Sequence, residues 1–368
     1  MTEIESENEG QTINIENMQQ TIGITEKLVE TLNSFSSHEF DDSENELLDF
    51  NPMLDKGVTG KQRVEGGRER ISVEDYIYEL KRTNPGSLIH VKLTENEIAN
   101  RSYIFHRIYI CFAARKEGFK ASCRKIVGVD SCWLKGPMYG TQLSIEVGLD
   151  ANNNIFPIAY AVVEKETRDT WSWFLNYLSI DLEIDDYGGW TFMSDKQKCL
   201  LEAFIFGLLQ AFNDVLPFVS HRFCVRHLYD NFRRTGFSGF SLRNAFWAAA
   251  KSMMVKFFHD RMSDLLNLDA NVVSWLNDKP PSEWSRSHFN PNAKCDILLN
   301  IMCESFNSMI LEARDKPIII LLEKSRYILM AWIQANRDKG EKWNLSDVCP
   351  RIKDILHKNE LAAATFIP

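Results

Sequence analysis

Several familiar patterns are missing from this sequence, and each absence narrows the reading. Eight cysteines, at 111, 123, 132, 199, 224, 295, 303 and 349, include no CxxC pair, so neither a disulfide framework nor a zinc ribbon is expected and a reducing compartment fits best. No stretch approaches the roughly 20 apolar residues of a membrane span, and the N-terminus has no basic region followed by an apolar run. The expectation is a soluble intracellular protein with no membrane partner. Basic residues are scarce at the front, where the first 60 positions hold 14 Asp and Glu against 2 Lys and Arg. With apolar residues too sparse there to close a core, residues 1–60 read as a disordered acidic tail, with room for a short helix over Thr25 to Leu32. No strong basic run marks a nuclear address; only Arg233-Arg234 and the stretch Lys61 to Arg70 hold scattered positive charge.

What is present is an ordinary globular composition, 44% hydrophobic and 25% charged, over 368 residues. That length suits one large domain with additions, or two domains. The net charge of -9 argues against a nucleic-acid partner only until the front segment is set aside. Removing its 14 acids and 2 bases from the totals of 51 and 42 leaves 37 acidic and 40 basic residues for positions 61–368. Such a body can bind DNA through a local basic groove, because affinity follows the phosphates neutralised rather than the total charge.

Order begins near Ser72, where Val73, Tyr76, Ile77 and Leu80 recur at helical spacing before the turn Asn84-Pro85-Gly86. Leu88 to Leu93 reads as a strand, and Phe105 to Phe112 as a strand or a short helix. Lys125 to Asp130 is an apolar run ending in a carboxylate, the pattern of a buried strand that delivers a side chain at its end. Gln142 to Leu149, a turn at Asp150 to Asn154, and Ile155 to Val163 complete three antiparallel strands. A helix follows from Thr170 to Ile180, then a short apolar run, Trp190 to Ser194, ending at Asp195. Cys199 to Phe212 is expected as a helix, His221 to Phe223 as a strand, and most of 224–276 as helix up to the break at Pro280-Pro281. The last helices are expected over Ile297 to Ala313, carrying Glu304, and Ile318 to Arg337.

Two acids at the ends of strands and a third on a late helix form a set suited to phosphodiester cleavage. Hard divalent ions prefer oxygen ligands, and a pair of them can activate the attacking oxygen while steadying the leaving one. Among 51 acidic residues, however, strand-end carboxylates arise by chance. Glu146, Glu164, Glu166 and Asp169 are rivals, each expected to face solvent or cap a helix.

The motifs decide between these readings. Val127-Gly128-Val129-Asp130-Ser131-Cys132-Trp133-Leu134-Lys135-Gly136 with Tyr139-Gly140-Thr141-Gln142-Leu143 resembles the opening of the Mutator-like element (MULE) transposase domain, of the plant MuDR type. Ile155 to Glu164, Thr170-Trp171-Ser172-Trp173-Phe174-Leu175, Ser194 to Lys198, His221 to Phe232 with its CxxH, Cys303-Glu304-Ser305-Phe306-Asn307 and Glu312 to Pro317 continue the resemblance in order over residues 72 to 335.

The resemblance implies an α/β RNase H-like fold, a mixed five-stranded sheet flanked by helices, with an all-helical insertion between the second and third acids. It implies Asp130, Asp195 and Glu304 as catalytic residues and metal ligands, Mg²⁺ or Mn²⁺ as cofactor, transposon ends and target DNA as partners, a homodimer as an option, and the nucleus as location. Where the family commonly shows paired asparagines before the third acid, this sequence has Leu299-Asn300.

Boundaries follow: 1–60 acidic tail, 61–120 lead-in, 121–222 first part of the core, 223–290 helical insertion, 291–340 last core helices, 341–368 C-terminal tail. Cys224 and His227 of the CxxH lack two zinc ligands nearby, so zinc is not expected. Arg222, Arg226, Arg233 and Arg234 line a DNA path or form a solvated helix face, while Trp133, Trp171, Trp173, Trp190 and Trp247 are expected in the core. Neither the zinc-dependent DNA-binding module nor the SWIM finger usual in the family occurs in this sequence. The competing reading is a domesticated transposase that uses the fold to bind DNA in transcription without catalysis, or an inactive element copy.

Overall fold

The computed structural model describes residues 73–95, 103–185, 189–195, 203–344 and 347–364. The expected acidic tail, the short helix over 25–32, the basic residues of 61–70 and Cys199 lie outside them.

Helix α1 (Val73–Thr83) opens with Glu74 and Asp75 and closes with Lys81 and Arg82, which suits the helix dipole at both ends, and it buries Ile77 and Leu80. Strands β1 (Leu88–Glu95) and β2 (Tyr103–Cys111) follow as an antiparallel pair, so the ambiguous 105–112 run is a strand. After α2 (Ala113–Ser122) come β3 (Ile126–Trp133), β4 (Gln142–Leu149) and β5 (Ile155–Val163), antiparallel in succession as expected. Asp150 builds the β4–β5 turn by accepting from the amides of Asn152 and Asn154, leaving Asn153 at a φ of 60°. A capping box between Thr167 and Thr170 starts α3 (Arg168–Leu182). Strand β6 (Thr191–Ser194), helix α4 (Ala203–Val215) and strand β7 (Ser220–Phe223) complete the sheet.

The sheet has seven strands in the order β1-β2-β5-β4-β3-β6-β7, not five. The lead-in hairpin β1–β2 pairs through β2 with β5, which adds two strands to one edge. Strands β3, β6 and β7 run parallel. The N-terminal half of β3 is buried on both faces, and successive residues serve opposite cores. Ile126 and Cys132 join one apolar layer with α1, and Val127 and Val129 join the other with α3 and α4.

A third apolar cluster runs from Val225 to Leu298. Its helices are α5 (Val225–Arg234), α6 (Phe240–Lys251), α7 (Val255–Leu268) and α8 (Ala270–Asn277), and a short 3-10 turn at Pro281–Glu283 marks the expected break. Trp284 is its largest buried side chain, stacked on Phe246 at 5.9 Å between ring centres. Helix α9 (Ile301–Met309) is shorter than the 297–313 expected, because 310–316 closes in tight turns such as Ala313 N–H to Ile310 O at 2.9 Å. Helix α10 (Ile318–Gly340) packs against the first apolar layer. Helix α11 (Pro350–Ala363) is tied to the β4–β5 turn, with Arg351 donating its backbone N–H to Asn152 Oδ1 at 2.9 Å.

Two expectations about side chains are corrected. Trp171 and Trp190 are in the core, but Trp133 is 54% exposed, since it ends β3 beyond the cover of either apolar layer. Glu146 does not face solvent; it lies on β4 with no exposure. No helix among the described residues is long and apolar enough to cross a membrane.

Candidate active site

The topology brings four chain segments to one edge of the sheet. Strands β3, β5 and β6 end there, and β4 begins there, since Trp133 pairs with Gln142, Gln142 with Val163, and Val129 with Ser194. Asp130 is one residue past the Val129–Ser194 pair on β3, and Asp195 is one residue past it on β6. Adjacent parallel strands thus present the two acids side by side.

Helix α9 is laid across β3 above them. Gly128 permits the approach: a Cβ there would lie 2.5 Å from Asn300 Oδ1, 2.9 Å from Met302 Cε and 3.0 Å from Cys303 Sγ. Asn300, at the N-cap of α9, makes no side-chain cap. Its buried amide instead donates to Val129 O and to Asp195 Oδ1, both at 3.3 Å. At the other end of α9, Asn307 Nδ2 donates to Asp130 Oδ2 at 2.9 Å. Glu304 lies between these asparagines, so the helix that carries it is tied to both aspartates.

Charge is crowded here. Burial pushes the Asp130 carboxyl well above the usual carboxylate range, and the neighbouring Asp195 and Glu166 add to it. Glu304 is raised by burial and by Asp195, against the pull of Arg226, whose Nη1 is 3.2 Å from Glu304 Oε2. Glu166, in the link between β5 and α3, is pushed to about 7 by burial, with Asp195 contributing. It is half-buried and belongs to the cluster, not to a solvent-facing or capping position. The other two rivals are elsewhere: Glu164 and Asp169 both hold Arg107, the latter at 2.8 Å.

The CxxH residues join the same centre from α5. His227 Nδ1 lies 3.2 Å from Asp195 Oδ1, at ion-pair distance without hydrogen-bond alignment. Burial opposes the imidazolium, but Asp195 and Cys224 outweigh it and raise the ring to about 11. Cys224 is fully buried and donates its backbone N–H to Ser194 O at 2.9 Å.

Of the four arginines, Arg226 is at the centre and Arg233 and Arg234 are exposed in the last turn of α5. Arg222 is corrected: it is buried in β7, donating to Cys295 O at 2.7 Å and Asn290 O at 3.1 Å, with its guanidinium 3.9 Å from the Phe289 ring centre. It clamps the segment leading to α9 and does not touch a DNA path.

The three expected acids therefore come together with Cys224, His227 and Arg226. Sequence reasoning missed the parts of Asn300, Asn307 and Glu166. Asn300 had a signal, as the remaining asparagine of the expected pair, and Asn307 was already inside a quoted motif. No curated protein matches the chain. Residues 126–231, from the first residue of β3 through most of α5, match the family model of the MULE transposase domain, so the segment carrying Asp130, Asp195, Cys224 and His227 is similar to that domain.

Proposed function

We propose that the chain is the catalytic core of a DNA transposase with an RNase H-like fold, cleaving and joining DNA strands with Asp130, Asp195 and Glu304 as carriers of divalent metal. The observation that carries this reading is the attachment of α9 to both aspartates through Asn300 and Asn307, with Glu304 between them. The donor set suits Mg²⁺ or Mn²⁺ in type: it offers carboxylate oxygens, the ligands hard cations take, and burial, with Asp195 beside it, raises the Asp130 carboxyl, a penalty that a bound cation would offset. Bound ions would polarise the scissile phosphate and activate the attacking oxygen.

The remaining work belongs to the chain itself. Asn300 and Asn307 fix the rotamers of Asp195 and Asp130, so each carboxylate is held before substrate arrives. Arg226 pairs with Glu304, and this places a positive group beside the acids where a phosphate of the DNA would lie. Arg233 and Arg234 add positive charge at the end of α5 that suits a DNA backbone, and the proposed location is the nucleus.

The test is nicking of labelled DNA by the purified protein in Mg²⁺ or Mn²⁺. Wild type should nick, and Asp130→Asn, Asp195→Asn and Glu304→Gln should each fall to background while keeping their circular dichroism. Equal nicking by wild type and Asp130→Asn, or none by wild type, overturns the enzymatic reading.

A further inference from the structure

Around Asp195 there is a second donor set, different in chemistry from the three carboxylates. A carboxylate oxygen of Asp195, Sγ of Cys224 and a ring nitrogen of His227 all lie within 4.8 Å of one another. The backbone fixes this arrangement. Cys224 leaves β7 bonded to Ser194 O at 2.9 Å, Val225 N–H is held by Leu298 O at 2.8 Å, and His227 follows at i+3 on the same face of α5. As isolated residues, Cys224 and His227 are two ligands short of a zinc site; Asp195, brought in from the neighbouring strand, supplies a third.

Sulfur is a poor donor for Mg²⁺ and a good one for softer ions such as Zn²⁺. Three mixed protein ligands with one position left for water is the arrangement of open zinc sites. Cys224 also sits at the N-cap of α5, fully buried, so its sulfur is held in place beside Asp195 and His227. The donor atoms are close enough together to turn onto one tetrahedral ion with only side-chain adjustment.

We propose that Asp195, Cys224 and His227 form a binding site for a thiophilic divalent ion of the Zn²⁺ class, and that this ion withdraws Asp195 from the oxygen-ligated centre and so represses strand cleavage. Binding rests on the donor geometry alone; repression rests in addition on the function proposed above. The reaction is ligand exchange without electron transfer. The metal–sulfur, metal–nitrogen and metal–oxygen bonds form as bound waters leave, and the thiol proton and any proton on His227 pass to solvent.

The full chain titrated with Co²⁺, a spectroscopic stand-in for Zn²⁺, should develop a near-ultraviolet sulfur-to-cobalt band together with intense visible bands of tetrahedral cobalt. These should saturate at one ion per chain and disappear on adding Zn²⁺. The sulfur band should be lost in Cys224→Ser. The tetrahedral signature should be lost in His227→Asn, which tests the site independently if the serine variant does not fold. Absence of the band in wild type, or its survival in a folded Cys224→Ser, overturns the binding proposal. In a parallel assay, stoichiometric Zn²⁺ should suppress Mg²⁺-dependent nicking; unaltered nicking at a Zn²⁺ concentration that abolishes the cobalt bands overturns repression. Cobalt binding by a protein that nicks no DNA under any condition removes the nuclease reading and, with it, the repression, while leaving the ion site standing.

Discussion

Glu146 occupies the middle of β4 with both carboxylate oxygens buried and unpartnered. Burial, with Asp181 adding to it, pushes its carboxyl well above the ordinary 4.5. The native chain therefore keeps a proton that the unfolded chain gives up once pH exceeds that ordinary value, and stability falls as pH climbs between the two. Glu146→Gln should flatten this decline: urea midpoints taken at pH 5 and pH 8 should differ less in the variant than in wild type, with the gain at pH 8. Equal differences would mean that Glu146 is charged in the fold. Where a motif carried single residues, as with Asp130, Asp195 and Glu304, the fold places them near one another. Sequence reading missed Glu146 because strand alternation tells which face a residue takes, not whether a second layer covers that face. It misassigned Arg222 for a related reason, since the carbonyls that hold this guanidinium come from residues 290 and 295, far along the chain.

At the scale of elements, the contact between β3 and α9 is where packing bears on the proposed function. Gly128→Ala places a methyl group against Asn300, Met302 and Cys303, an overpacking that typically costs about 1–3 kcal/mol. The larger effect should be on nicking, because the methyl group meets the asparagine that positions Asp195. A thermal unfolding midpoint lowered by several degrees, together with loss of most nicking, is the expected pair of results; full activity with reduced stability would detach α9 from the chemistry. Strands were legible because β3, β4 and β5 carry apolar alternation between turn residues. The partnership of β1–β2 with β5 was not, since a run of Ile and Val announces a strand without naming its neighbour. The N-terminal limit of α9 was also hidden: Asn300 looks like an ordinary cap, but its amide is taken up by β3 and β6 instead of by its own helix.

For the whole molecule, the apolar layers on the sheet and the apolar cluster from Val225 to Leu298 are separate but bridged. Helix α5 contributes Val225, Leu228 and Phe232 to the insertion core, alongside Phe246 and Trp284, while Arg226 and His227 contact Glu304 and Asp195. Trp284→Ala should cost about 3–5 kcal/mol, the usual loss for a large buried aromatic. Hydrogen exchange should then quicken throughout α5 to α8 and leave β3 to β5 nearly unchanged. Uniform acceleration across both would mean that insertion and sheet unfold as one. The order of helices and strands was readable from periodicity, but the bridging by α5 was not, because the two faces of one ten-residue helix serve different neighbours. That shared helix ties electrostatics to packing: the side chains that offset the charge of Glu304 and Asp195 sit on consecutive residues of a rod whose other face is buried in the outer bundle. A loosened bundle would therefore be felt as a change of charge at the acids before any strand of the sheet gave way.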